Sequence, residues 1–286
     1  MPLPWWGKIA GKLIISRLPV PYERWASIGI FRHGQMDNPA YVEQVFSGHL
    51  QSASFEPARR PWVGLELGPG DSAASAVIAA AHGASRFHLV DDGDYAQRVP
   101  RVYARLADHL RERGLCAPTL DGLSFTEILA ACGATYATDG LRSLRLLPDR
   151  SVDFVYSQAV LEHVRRSEFP ALMRELHRIL RPDGVASHQV DLKDHLDERL
   201  NHLRFPERLW EAPWFARDSG FYTNRIRFGE MLAHFEAAGF RVDVADRREW
   251  AVLPVARRRL ARPFRELEEE ELLVSGFRAV LHPASR

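Results

Sequence analysis

Residues 62–82, WVGLELGPGDSAASAVIAAAH, constrain the fold more than any other stretch of the chain. An apolar, strand-like run from Trp62 to Leu67 passes through two glycines into an alanine-rich segment that reads as a close-packed helix over Asp71 to His82. Gly68-Pro69-Gly70-Asp71-Ser72-Ala73 has the G-x-G-x-x-G/A spacing of a strand-to-helix turn whose backbone N–H groups cradle a ligand. A chain built this way at its centre is committed to α/β architecture.

The alternation continues on both sides of the next glycines. RFHLVD reads as a second strand ending in Asp91 and Asp92, followed by a helix over Tyr95 to Arg113 for which Asp94 is a candidate N-cap. FTEILAACG is a helix stopped by Gly133, ATYATDG a third strand, and SVDFVYS a fourth. FPALMRELHRIL is a helix stopped by RPDG, and VASHQVDL is a fifth strand. GEMLAHFEAAGFRVDVADR gives a helix stopped by Gly239 and then a strand, and ELLVSGFRAVLHP one more strand. Between those two, RRRLARPFRELEEEEL reads as a solvated helix face. The pattern predicts βαβ units, a mostly parallel sheet with helices on both faces, and two late strands closing one edge. Residues 1–60, with Pro19, Pro21, Pro39, Pro57 and a helical pattern from Tyr41 to Leu50, are expected to form a helical cap. Residues 61–286 are expected to form the main domain, with 195–228 as an insert or lid after the fifth strand.

A formal charge of +1 over 286 residues gives no electrostatic reason to expect nucleic acid as partner. Cys116 and Cys132 have neither metal-ligand spacing nor a disulfide framework, which suits a cytoplasmic location. The N-terminal segment places Trp6, Ile9 and Leu13 at helical spacing with Lys8 and Lys12 opposite. A helix packing this stripe on its own domain is expected; the alternative is peripheral contact with the anionic inner membrane surface.

The charge around the glycine turn bears on its ligand. A pyrophosphate is opposed by carboxylates, yet Glu66 precedes the first glycine and Asp71 follows the second. A ligand with an ammonium and a sulfonium suits both, while its own carboxylate takes the N–H groups; S-adenosylmethionine has that charge set. Gly68 and Gly70 let the backbone approach closely and Pro69 stiffens the loop. Asp91, roughly 20 residues on, sits where an acid accepts ribose hydroxyls. Asp139 follows the third strand, where it could meet an adenine amino group, and Ser157 and Gln158 end the fourth.

LELGPG, HLVD, SVDFVYSQAVLEHV and ELHRILRPDGV resemble the successive motifs of the class I S-adenosylmethionine-dependent methyltransferases, in their small-molecule (methyltransferase type 11-like) branch. The likeness covers roughly residues 62–192, with AHFEAAGFRVDV as further support. It implies a Rossmann-like seven-stranded sheet whose last strand is antiparallel. It assigns Gly68 and Gly70 to the methionine part of the cofactor, Asp91 to the ribose with Asp92 able to share that role, Asp139 to the adenine region, and Ser157–Gln158 to the methyl-transfer mouth. TDGLRSLRLLPDRSVD departs from the family pattern in being longer and more basic.

If the acceptor is a hydroxyl, a histidine base helps near neutral pH. His163, in LEHV, and His188, in SHQVDLKDH, are the candidates, although a structural His163 bonding a nearby loop or backbone carbonyl is the favoured reading. The cluster His188, Asp191, Asp194 and His195 could hold a divalent metal, but capping by Asp191 or Asp194 is the favoured reading and no metal is assigned. In the insert, Trp210, Trp214, Phe215, Phe221 and Tyr222 either stack on an acceptor or glue the insert down; Asn224, Arg225 and Arg227 are candidates for its polar groups. The expected activity is methyl transfer to a small molecule or glycan, at oxygen. The alternatives are a nicotinamide-dependent oxidoreductase on a Rossmann fold and a non-catalytic protein of the membrane surface.

Overall fold

The computed structural model describes residues 4–15, 38–57, 61–216 and 220–284. Pro19, Pro21 and the rest of the expected cap over 16–37 lie outside the described residues, as do 58–60 and the side chain of Lys12.

Seven strands form one sheet: β1 (Trp62–Leu67), β2 (Ala84–Val90), β3 (Ala134–Ala137), β4 (Val152–Gln158), β5 (Leu180–Asp191), β6 (Phe240–Glu249) and β7 (Val274–Pro283). Their order is β3-β2-β1-β4-β5-β7-β6. The first five are parallel, and β7 runs antiparallel to both β5 and β6. The expected late pair therefore closes the sheet, with β6 at the edge. Strand order reverses between β1 and β4, and an open parallel sheet has its crevice beyond the C-terminal ends of its strands at such a point.

The helices named here are α1 (Trp5–Ile15), α2 (Pro39–Ser52), α3 (Ala74–Ala81), α4 (Pro100–Glu112), α5 (Phe125–Ala131), α6 (Phe169–Ile179) and α7 (Phe228–Ala237). On one face, α2 to α5 cover Trp62, Phe87, Phe154 and Tyr156. The alanines of α3 let it sit between the sheet and its neighbours, with seven of its residues buried. On the other face, α6 buries Phe169, Leu172, Met173, Leu176 and Ile179, a stripe at helical spacing, against Leu65, Val155 and Phe235.

Three expectations change. The helix after the glycine turn starts at Ala74 rather than Asp71, because the turn occupies the intervening residues. The helix expected from Tyr95 begins at Pro100; Asp94 pairs with Arg98 at 2.5 Å instead of capping. The charged stretch after Val255 breaks into short helices that bury Leu260 and Leu272 beside Leu200 and Leu203, so it docks rather than lying in solvent.

Helix α1 packs Ile9 with Trp5 and Leu13 against Trp210, Phe215 and Phe221 of the insert. Trp6, expected in that stripe, is 63 % exposed. Lys8 also faces the protein, donating to the Leu196 carbonyl and pairing with Asp197 at 3.2 Å. The apolar face is thus spent within the chain. No helix among the described residues is long and apolar enough to cross a membrane.

Candidate active site

The glycine turn is built from two residues in left-handed backbone conformation, Gly68 at φ +68° and Gly70 at φ +62°. Gly68 donates its N–H to the Val90 carbonyl at 2.8 Å, tying the turn to the end of β2. A Cβ on Gly68 would lie 2.6 Å from Val160, so both conformation and packing demand glycine there. Gly70 is different: among the described residues nothing lies within 4 Å of where its Cβ would stand. The turn thus presents bare backbone to open space on the rim, and Pro69 is buried beneath it.

Asp91, at the end of β2, faces this turn. Its Oδ2 accepts the Gly70 N–H at 2.8 Å and its Oδ1 accepts the Asp92 N–H at 2.8 Å. Burial raises its pKa to about 7, against the lowering effect of those two N–H groups, with neighbouring Asp92 adding to the rise. The strand ends are stitched together: Asp91 N–H donates to Ala137 O at 2.9 Å and Gly140 N–H to Asp91 O at 2.7 Å. This brings Asp139 beside the end of β2, where it and Asp92 are both exposed. Tyr136 braces the acidic loop by accepting the N–H groups of Tyr95 and Ala96 and donating to Gly93 O.

Glu66 does not meet the expectation of a carboxylate facing the ligand. It is 3 % exposed and accepts a bond from the Ser75 hydroxyl, with the Tyr156 hydroxyl bonding it as well. Burial lifts its pKa to about 7 against the effect of both hydroxyls. It anchors the start of α3 to the sheet from inside.

At β4 and β5, strand alternation sends neighbouring residues to opposite faces. Ser157 is fully buried with its hydroxyl 2.8 Å from His188 Nδ1. His188 is itself fully buried, its Nε2 has no hydrogen-bond partner among the described residues, and burial pulls its pKa down to about 3. Neither residue reaches the rim, which removes Ser157 from the methyl-transfer mouth and His188 from the candidate bases: a side chain sealed inside the sheet cannot touch an arriving acceptor. Gln158 reaches the rim from the other face. Its Oε1 lies 3.0 Å from His49 Nε2, and His49 Nδ1 lies 2.8 Å from Ser187 Oγ. Fully buried His49, its pKa lowered to about 3 by burial and then by Arg278, pins α2 to the sheet. Nothing in the sequence distinguishes it from any other helix histidine.

His163 does stand exposed on the rim just beyond β4, its Nδ1 2.8 Å from the Tyr222 carbonyl. Its ring stacks on that of His195 with centroids 4.8 Å apart. Of the cluster after β5, Asp194 follows the capping reading: it accepts N–H groups from Leu196, Asp197 and Asn201. The residues expected to grip an acceptor are instead internal brackets. Asn224 donates to the carbonyls of Leu161 and Val164, Arg225 to Phe205 O, and Arg227 to the carbonyls of Leu192, Glu271, Leu272 and Val274. Trp210, Phe215, Phe221 and Tyr222 form the core of the insert, and among the insert's aromatic residues named from the sequence only Trp214, 59 % exposed, points outward.

Residues 123–187, from the start of α5 into β5, match a methyltransferase-domain family; the glycine turn lies outside the match. No curated protein matches the chain. Among solved structures it is similar to an S-adenosylmethionine-dependent methyltransferase from Mesorhizobium loti, at 18 % identity over 84 % of this chain and 97 % of that one, with a TM-score of 0.44. An S-adenosylmethionine-dependent methyltransferase from Archaeoglobus fulgidus gives 13 % identity, 84 % and 92 % coverage and a TM-score of 0.45. The 1,6-didemethyltoxoflavin-N1-methyltransferase of Burkholderia thailandensis, with 1,6-didemethyltoxoflavin and S-adenosylhomocysteine bound, gives 16 % identity, 94 % and 92 % coverage and a TM-score of 0.43.

Proposed function

We propose that this chain is a class I S-adenosylmethionine-dependent methyltransferase and transfers a methyl group to a small-molecule or glycan acceptor, at oxygen. The observation that carries the reading is the bare backbone of Gly70 opening onto space beside Asp91, with Asp92 and Asp139 on the adjoining strand ends. Acids around backbone donors suit a ligand that is cationic at its ammonium and sulfonium and anionic at its carboxylate. Open space where a Cβ would stand is what close approach of such a ligand requires.

In this reading the bare backbone of the turn at Gly70 receives the methionine end by close approach. Asp91 and Asp92 receive the ribose hydroxyls, Asp139 borders the adenine, and Gln158 lines the mouth. When bound, the cofactor supplies a methyl group already activated on a sulfonium sulfur, so the protein's work is alignment and exclusion of water. His163 on the rim is the base available to an acceptor hydroxyl, its ring orientation fixed through Nδ1 by the Tyr222 carbonyl. Residues 61–286 constitute the catalytic domain, 1–60 a cap, and 195–228 an insert beside the mouth. Both cysteines are free thiols, in keeping with work in a reducing cytoplasm.

Calorimetric titration tests the cofactor directly: S-adenosylmethionine binds and NAD does not. Binding of NAD alone reverses the assignment in favour of an oxidoreductase. Incubation with methyl-labelled cofactor and fractionated lysate then identifies the acceptor; label transferred to nitrogen or carbon overturns the oxygen assignment. Label transferred to nothing, with the protein retained on anionic vesicles, favours the non-catalytic membrane-surface reading.

A further inference from the structure

Two histidines far apart in sequence meet a buried carboxylate on the acceptor side of the rim. One carboxylate oxygen of Glu162 and one ring nitrogen each of His163 and His195 all lie within 4.8 Å of one another. We propose that these three residues bind one divalent transition-metal ion, with zinc the favoured occupant.

The chemistry of the three donors is that of a catalytic rather than a structural centre: two imidazoles and one carboxylate, leaving a coordination position open. Glu162 supplies the strongest independent indication. It is 1 % exposed; its Oε1 accepts the Asp191 N–H at 3.1 Å, and its Oε2 has no hydrogen-bond partner among the described residues. A buried carboxylate oxygen without a donor is costly unless a proton or a metal ion meets it, and the geometry of the two histidines favours the ion. His163 is already set for ligation, because its Nδ1 takes the Tyr222 carbonyl as partner and the lone pair of the neutral ring then falls on Nε2. Asn224 holds the turn that carries both ligands, through the carbonyls of Leu161 and Val164 and through its own N–H to Glu162 O.

The remaining adjustment is small. An ion holding ligands at about 2.0–2.1 Å in tetrahedral geometry needs them about 3.4 Å apart, so the trio must close by little more than 1 Å from its widest permitted spacing of 4.8 Å. His195 is exposed, with its ring stacked on that of His163 at 4.8 Å between centroids, and rotation of its side chain supplies that movement. Of the cations, Arg248 acts on Glu162, and Lys193 is offset by Asp191 at 3.6 Å and Glu198 at 2.8 Å. Use of the ion in catalysis rests on the methyl-transfer reading, with the ion taking over the part given there to His163: once His163 Nε2 is a ligand it no longer serves as base, and an acceptor hydroxyl entering the open position would release its proton to water more readily.

Full-length protein stripped with chelator is titrated with Zn²⁺ by calorimetry and with Co²⁺ by visible absorption, alongside S-adenosylmethionine titrated into the same stripped protein. One ion per chain is expected, with an intense tetrahedral Co²⁺ spectrum, and His195→Ala and His163→Ala each weaken it at least tenfold. Glu162→Gln should do the same with an unchanged circular dichroism spectrum; because His195 is exposed, its variant keeps the test valid if the Glu162 variant misfolds. Absence of saturable binding, or equal affinity in both histidine variants, overturns the site. Cofactor binding without metal binding removes only the site, whereas metal binding without cofactor binding leaves the site and removes the methyl-transfer reading.

Discussion

The two halves of the rim are built by different means. On the β1–β2–β3 side the rim is main chain: the glycine turn, stitched to its neighbours by backbone hydrogen bonds and bordered by acids that follow strands directly. On the β4–β5 side the surface is side chain, and its shape is set by buried polar groups reaching across long stretches of sequence, such as His49 to Ser187 and Arg227 to Val274. In the proposed reading the first design holds the cofactor, and the second leaves the acceptor side adjustable one bracket at a time.

Substitutions should separate the two halves. The largest effect is expected for Gly68→Val, which places a β-branched side chain in left-handed backbone at about 1–3 kcal/mol and drives it into Val160 at about 1–3 kcal/mol more. Urea unfolding should register that loss, and cofactor binding should fail with it; a native midpoint would mean the turn is not packed as described. Next is Arg227→Met, which strips a donor from four buried carbonyls and should cost about 3 kcal/mol in the same assay. If the halves are separable, the folded fraction of this variant keeps its cofactor affinity.

Asp91→Ala should weaken cofactor binding by about 1–3 kcal/mol in calorimetry through lost charge-assisted bonds. The same residue gives a pH test with two opposite signs. Asp91 and Glu66 both hold their protons more tightly folded than unfolded, each with a pKa pushed up to about 7 by burial. The native state therefore binds more protons between about pH 4 and 7, and their contribution to stability falls as pH rises through that window. Cofactor affinity should instead rise as pH passes 7 and Asp91 ionises. Glu66→Gln should flatten the stability trend while leaving the rise in affinity; affinity independent of pH from 6 to 8 would remove Asp91 from the ligand surface. The smallest effect belongs to Trp6→Ala: stability within about 0.5 kcal/mol of the parent and no change in retention on anionic vesicles.

The same contrast explains what the sequence could and could not convey. Strand-to-helix turns, the acids at Asp91, Asp92 and Asp139, and the closing pair β6–β7 are local patterns with a fixed period, so their positions follow from reading along the chain. Glu66 and Ser157 have the right spacing yet point inward, because alternation along a strand tells two faces apart without telling which end of the side chain finds a partner. His188 and His195 are neighbours in one cluster of the sequence, but β5 buries the first and its following loop exposes the second. Asn224, Arg225 and Arg227 look like acceptor-binding groups because a polar side chain in an aromatic insert carries no mark that its partners are backbone carbonyls of distant segments. Trp5 rather than Trp6 packing inward is a one-residue rotation of a short helix, below what periodicity over a few turns resolves.

The bond from Lys8 to the Leu196 carbonyl and its pairing with Asp197 have a practical corollary. The carbonyl it grips belongs to the residue directly after His195, so the chain's first helix acts as a clasp on the loop that carries that histidine. Shortening the N-terminus for expression, or fusing a bulky tag close to Trp5, would undo the clasp and slacken the acceptor side while the nucleoside side stayed intact. Preparations with different N-termini should then agree on how tightly they hold the cofactor and disagree on how fast they turn over.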